Sequence, residues 1–261
     1  MDRDLKFSLW NVLVLYIFNP SLKEYSVGKS VFYDLFFDMW IYFLKNAFDE
    51  MPYSTELFLE RIKREYFGRK WDGIYDLIEY IIQHYEDKYK DSLIENINWV
   101  LEDEIAGYRI VGDQITKITD ENELNSIEES MNSSKDKFNG VHTHLETALK
   151  MLSDRKSPDY RNSIKESISA VESICISISG NLKASLGDAL KLLETKIQLH
   201  GALKQGFSSL YGYSSDADGI RHAMLDETNV DFEDAKYMLI SCSAFINYLI
   251  VKAQKNGITL E

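Results

Sequence analysis

A chain of 261 residues with 45% hydrophobic and 27% charged residues is long enough for one large or two smaller domains, and too apolar to stay disordered. Its formal net charge of −13 excludes a general electrostatic grip on DNA, because sequence-independent affinity for phosphate backbones rests on Lys and Arg that release counterions. The 2 cysteines, Cys175 and Cys242, offer neither a disulfide framework nor the spacing of a zinc site, and they read as buried free thiols.

The first apolar run, Leu9–Phe18, is about ten residues long. That is too short to cross a bilayer, Asn11 interrupts it, and no small-residue cleavage site follows. The expectation is a cytoplasmic protein with no membrane partner. Helical periodicity then predicts elements near 4–17, 27–48, 54–66, 71–87 and 90–105, with breaks at Pro20, Pro52 and Gly68. Trp10, Tyr16, Phe18, Tyr33, Phe36, Phe37, Trp40, Tyr42 and Phe43 crowd the first two, and aromatic residues at helical spacing read as core. In the fourth, Ile74, Leu77, Ile78 and Ile81 recur at spacings of three and four.

At Gly107 the period shortens. The segment 108–118 places β-branched residues two or three apart around Gly112-Asp113, the pattern of a hairpin. Two strands are not stable alone in water and must pack on neighbouring helices. A polar run follows, so the domain boundary is expected at about 122. It separates an aromatic-rich helical domain, 1–122, from a helical bundle, 123–261.

In the second half the pattern predicts helices near 122–131, 137–153, 159–178, 184–196, 199–211 and 231–255. Asp159 and Asp231 are positioned as N-terminal caps. In the 159–178 helix Ile164, Ile168, Val171 and Cys175 form an apolar stripe, and Asn162, Glu166, Ser169 and Ser173 line an adjacent face. The fold class is therefore all-α, two helical domains with one small hairpin near 108–118.

The segment Tyr211–Ala223 carries the densest chemistry: two tyrosines, two glycines, two acids, then Arg221 and His222. It lacks the lysine of a P-loop. Asp216, Asp218 and Asp226 lack the spacing of a calcium loop. No metal and no cofactor are expected. His titrates near neutrality and serves as general acid or base, while Arg holds phosphate and stabilises developing negative charge. Cleavage of RNA by its own 2′-hydroxyl needs those two functions alone. The competing reading pairs Arg221 with Asp216, Asp218 or Glu227 and leaves His222 as a packing group. A second polar cluster, Arg161, Asn162 and Glu166, either points inward toward that loop or forms an exposed charged face. His142 and His144, two apart on a helix, point away from each other. Together with His84 and His200 they read as structural or surface residues.

Three C-terminal segments, 157–172, 210–222 and 230–249, resemble the C-terminal region of bacterial proteins related to the AbiJ abortive-infection type. Leu9-Trp-Asn-Val-Leu and Trp71–Tyr80 resemble one class of N-terminal domain attached to them. The resemblance implies an HEPN-like helical bundle at the C-terminus, a fold used by metal-independent ribonucleases in phage defence, and a homodimer with the cleft between protomers. Catalytic HEPN domains carry an Arg, then four to six intervening residues, then the His. Counted back from His222, that position falls at Ser215, Asp216 or Ala217. His222 alone is therefore carried over, as general acid or base, and Arg221 or Arg161 would have to replace the missing Arg in space.

The sequence thus reads as a phage-defence protein and metal-independent RNA endonuclease, with His222 and Arg221 catalytic and Arg161, Asn162 and Glu166 supporting. RNA is the expected partner. The alternative is a non-catalytic helical module that binds a partner protein or nucleotide.

Overall fold

A computed structural model describes residues 1–85, 88–135, 137–181, 184–215 and 230–258. The chain is all-α, with one two-stranded hairpin, and its contacts divide it into two units, Met1–Lys117 and Ile118–Glu261.

The first unit opens with α1 (Arg3–Leu13), whose first turn is capped by Asp2 accepting from the Leu5 amide at 2.9 Å. The helix does not stop ahead of Pro20, as expected, but widens into a π turn over Val14–Phe18 and re-enters α2 (Asn19–Ser21). Pro20 has no N–H to return to Tyr16, and that freed carbonyl accepts from the Tyr85 hydroxyl at 3.4 Å. The expected helix over 27–48 is broken into a 3-10 turn at Val27–Lys29, α3 (Tyr33–Asp38) and a π turn at Met39–Phe43. A long-range partner causes the first break. Val27 N donates to Tyr53 O at 3.0 Å and Thr55 N to Tyr25 O at 2.8 Å, holding this stretch extended where local periodicity favours a helix.

Three longer helices complete the unit: α4 (Thr55–Gly68), α5 (Trp71–His84) and α6 (Lys90–Asp103). The α5 stripe Ile74, Leu77, Ile78 and Ile81 is fully buried. The core is strongly aromatic. Trp10 lies 4.9 Å from Phe18 and 5.0 Å from Tyr66 between ring centroids, and Phe36 lies 4.9 Å from Phe58. These are tilted contacts, in which a ring edge meets a neighbour's face.

The hairpin pairs β1 (Arg109–Val111) with β2 (Gln114–Thr116), Ile110 opposite Ile115, around Gly112 at φ 55°. Residues Ile110 and Ile115 turn backbone groups away from each other, and helices supply the partners. Asn98 of α6 accepts from Ile110 N at 2.7 Å and donates to Ile110 O at 3.0 Å, and Glu79 of α5 accepts from Ile115 N at 2.7 Å. That is how so small a sheet docks without leaving orphaned amides.

The second unit contains α7 (Glu121–Ser134), α8 (Asn139–Ser153), α9 (Tyr160–Ser179), α10 (Leu186–Lys196), α11 (Gly201–Ser215) and α12 (Phe232–Lys255). Helix α9 is central, packed by α8, α10 and α12, while α12 also covers α7. Asp120 caps α7 through two amides, and Asp231 and Asp234 form a reciprocal capping box at α12. Gly180 ends α9 at φ 68°, the left-handed geometry that glycine adopts without a Cβ penalty. Cys175 and Cys242 are buried free thiols. Burial pushes both thiols well above their ordinary pKa, with Glu172 adding at Cys175, so neither is a reactive thiolate.

Candidate functional site

The α8–α9 hairpin organises the polar face of the second unit. Its turn is tied by Asp154, whose Oδ1 accepts from the Lys156 and Ser157 amides at 2.8 and 2.9 Å. Those two bonds hold the Asp154 carboxyl below its usual range. Asp159 N donates to Met151 O at 3.1 Å, and four residues on, Ser163 Oγ donates to Ala148 O at 2.8 Å. Small buried side chains, Ser163, Ser167 and Ala170 on α9 and Ala148 on α8, let the helices approach closely.

This register sets the positions of the expected supporting residues. Asp159 caps α9, its Oδ1 accepting from Asn162 N at 3.0 Å and its Oδ2 from Asn162 Nδ2 at 2.7 Å. The Asn162 amide is thus occupied in holding the helix start. Arg161 sits beside it in the first turn, half-buried. One turn further on, Glu166 meets His144 of α8, with Oε2 and Nδ1 2.6 Å apart. Both side chains are partly accessible, His144 35% and Glu166 23% exposed.

A carboxylate on Nδ1 fixes an imidazole's orientation and, when Nδ1 carries the proton, leaves Nε2 as the basic nitrogen. That is the arrangement by which a carboxylate orients a catalytic histidine. His144 had no partner readable from sequence because its partner is 22 residues away on another helix. The available signal was the hairpin: residues at similar distances from the 154–159 turn face each other, and His144 and Glu166 both flank buried stripes.

The other histidines have local roles. His142 Nδ1 lies 3.1 Å from Met131 O, His84 stacks on Tyr80 and reaches Tyr80 O at 2.8 Å, and His200 Nδ1 accepts from the Ala202 amide at 3.2 Å at the start of α11. No group of three or more His, Cys, Asp and Glu among the described residues could hold a metal ion.

Arg221 and His222 lie outside the described residues. The chain re-enters the described structure at residue 230, and Phe232 at the start of α12 packs edge-on against Tyr160, centroids 6.2 Å apart. Burial, then the nearby Glu233 and Asp231 carboxylates, raise the Tyr160 hydroxyl pKa. The start of α12 thus lies against the start of α9, where Arg161 and Asn162 follow Tyr160 in the chain. Among the described residues no helix is long and apolar enough to cross a membrane.

Residues 1–133 match a family model, that of AbiJ N-terminal domain 4. The match covers the whole first unit and runs on through nearly all of α7. No curated protein and no solved structure matches the chain.

Proposed function

The chain belongs to the AbiJ N-terminal domain 4 family, which suggests a role in abortive infection and phage defence, and from that premise we propose that its second unit is an HEPN-like ribonuclease acting in the cytoplasm as a homodimer. In this reading His222 is the general acid or base and Arg221 stabilises the developing phosphorane charge, with Arg161 as a further candidate for that positive group. Glu166 acts through His144, and Asn162 through the α9 cap, to hold the polar face on which RNA is bent. The chemistry is transfer of the scissile phosphate to the adjacent 2′-hydroxyl, which needs proton transfer and charge stabilisation and no metal.

The observation that carries the reading is the Tyr160–Phe232 contact. It sets Phe232, ten residues after His222 in sequence, against the helix start that carries Arg161, Asn162 and, one turn on, Glu166. A second reading is a non-catalytic helical module that binds a partner protein or nucleotide. The net charge of −13 favours it, since it opposes affinity for RNA outside a local basic pocket.

Purified protein incubated with total RNA in the presence of EDTA distinguishes the two, beside His222→Ala and Arg221→Ala variants of matched thermal stability. Removing the general acid–base should slow cleavage by roughly 10²–10⁴-fold. Survival of phage-challenged cells carrying each variant runs in parallel. Intact RNA with the wild type, or protection undiminished in both variants, rejects the ribonuclease.

A further inference from the structure

The first unit holds a cleft of about 370 Å³ where the start of α1, the start of α5 and the turn from α6 to β1 meet. Three aromatic rings converge on it. Centroids lie 6.0 Å apart for Trp71–Tyr75, 5.8 Å for Trp71–Tyr108 and 5.1 Å for Tyr75–Tyr108, all in tilted or edge-on geometry. Trp71 remains 43% exposed. The carboxylates of Asp2 and Glu104 line it too, beside Met1, Leu5 and the 105–107 turn, and no Lys or Arg side chain does. Each carboxylate is held by one oxygen: Glu104 Oε1 accepts from Ser8 Oγ at 3.1 Å and Asp2 Oδ1 from Leu5 N at 2.9 Å. Among the described residues the second oxygen of each has no hydrogen bond.

The turn beside the rings is strained. Ile105 adopts φ 52°, a left-handed conformation that a β-branched residue rarely takes. Its side chain is 91% exposed, so no burial in the fold compensates the strain. Two helix-end hydrogen bonds, Ile105 N to Glu102 O at 2.9 Å and Ala106 N to Leu101 O at 2.7 Å, hold this left-handed cap of α6, and the path it sets carries Glu104 and Tyr108 to the cleft.

We propose that this cleft binds an organic cation of amino-acid size, an ammonium or guanidinium group on an apolar or planar body, seated against the Trp71 and Tyr108 rings with Glu104 and Asp2 as counter-charges. Electron-rich ring faces attract cations, and the two carboxylates repel phosphate-bearing ligands. A neutral apolar ligand would desolvate the carboxylates without giving them a partner. The volume lies at the lower end of the range of small-molecule pockets. The site stands independently of the ribonuclease reading, since it lies in the other unit.

A ligand-observed NMR titration of the full chain tests it, using choline chloride, arginine amide and the uncharged choline isostere 3,3-dimethyl-1-butanol. At least one cation should bind about tenfold more tightly than the isostere. The tighter of the two assigns the ligand to the quaternary ammonium or the guanidinium class. Glu104→Gln should weaken cation binding by roughly fivefold or more and leave the isostere unchanged. Trp71→Leu should remove cation binding. Equal binding of isostere and cations, binding of neither cation, or cation affinity unchanged in folded Glu104→Gln overturns the proposal.

Discussion

Glu166 Oε2 lies 2.6 Å from His144 Nδ1, joining α9 to α8 across a helical hairpin whose register is otherwise fixed by small buried side chains. Because both groups are partly accessible to water, solvent screening limits what the pair adds to stability, and exposed pairs of this kind contribute about 1 kcal/mol or less. Its weight lies in orientation. Glu166→Gln removes the charge that holds the imidazole yet preserves the side-chain volume. We expect thermal unfolding to shift by no more than a few degrees, on the order of what 1 kcal/mol produces in a domain of this size. On the proposed ribonuclease reading, RNA cleavage should slow by roughly tenfold or more, the loss expected from one charge-assisted hydrogen bond. Unchanged cleavage would show that the face around His144 is structural.

Asn98 performs a comparable service in the first unit, clasping both backbone groups of Ile110. Asn98→Ala leaves an outward-facing amide and carbonyl of β1 without partners in a half-buried setting. Stranding such groups costs about 1–3 kcal/mol. Urea unfolding should show that loss, and hydrogen exchange at Ile110 should quicken more than at the α5 core. Asn98→Asp keeps the acceptor for Ile110 N and should recover part of the stability.

The contrast between these two side chains explains what could be read from the amino acids. Asp159, Asp231 and the α5 stripe are local signals, each carried within a turn or two, and the structure has them as caps and core. The hairpin was legible for the same reason, since Gly112-Asp113 sets a two-residue turn between alternating β-branched residues. The break at 26–30 was not legible, because it follows from pairing with residues 53–55, far along the chain. The continuation through Pro20 was missed because a π turn absorbs the lost hydrogen bond, an option that periodicity alone does not reveal. At the candidate site Asn162 and Glu166 are legible as one polar face of α9, but the pairing of Glu166 with His144 is not. Its significance depends on the register of one helix against another, and no local pattern states that.

Tyr66 carries a pH dependence whose sign can be worked out. Its ring is fully buried and its hydroxyl donates to Lys6 O at 2.8 Å. Burial first, and then the Tyr75 phenol, push its pKa far above the ordinary 10.0. Below pH 10 the phenol is neutral in both states, so its full contribution is present. Above that, the unfolded chain releases a proton that the folded chain retains, and stability falls as pH rises. The slope approaches about 1.4 kcal/mol per pH unit for one such group. Urea midpoints measured on either side of pH 10 should therefore drop, and Tyr66→Phe should flatten that drop while losing about 1 kcal/mol at neutral pH from the missing hydrogen bond. An equally steep alkaline loss in Tyr66→Phe would assign the effect to other groups.

Ile105 offers the sharpest separation of folding from binding. At φ 52° and 91% exposure the side chain pays a conformational penalty of about 1–2 kcal/mol for a left-handed L-residue. Glycine removes that penalty but loses about 0.5–1 kcal/mol through its freer unfolded chain. Almost no apolar burial is forfeited, so Ile105→Gly should stabilise the first unit by about 0.5–1 kcal/mol, read as a higher urea midpoint at unchanged slope. A side chain retained only by drift would leave cation affinity in the adjacent cleft untouched when removed. If Ile105 closes over a bound cation, the same substitution weakens binding as it raises stability, the opposition expected where strain serves a site. Measured together on one variant, the two changes should have opposite signs.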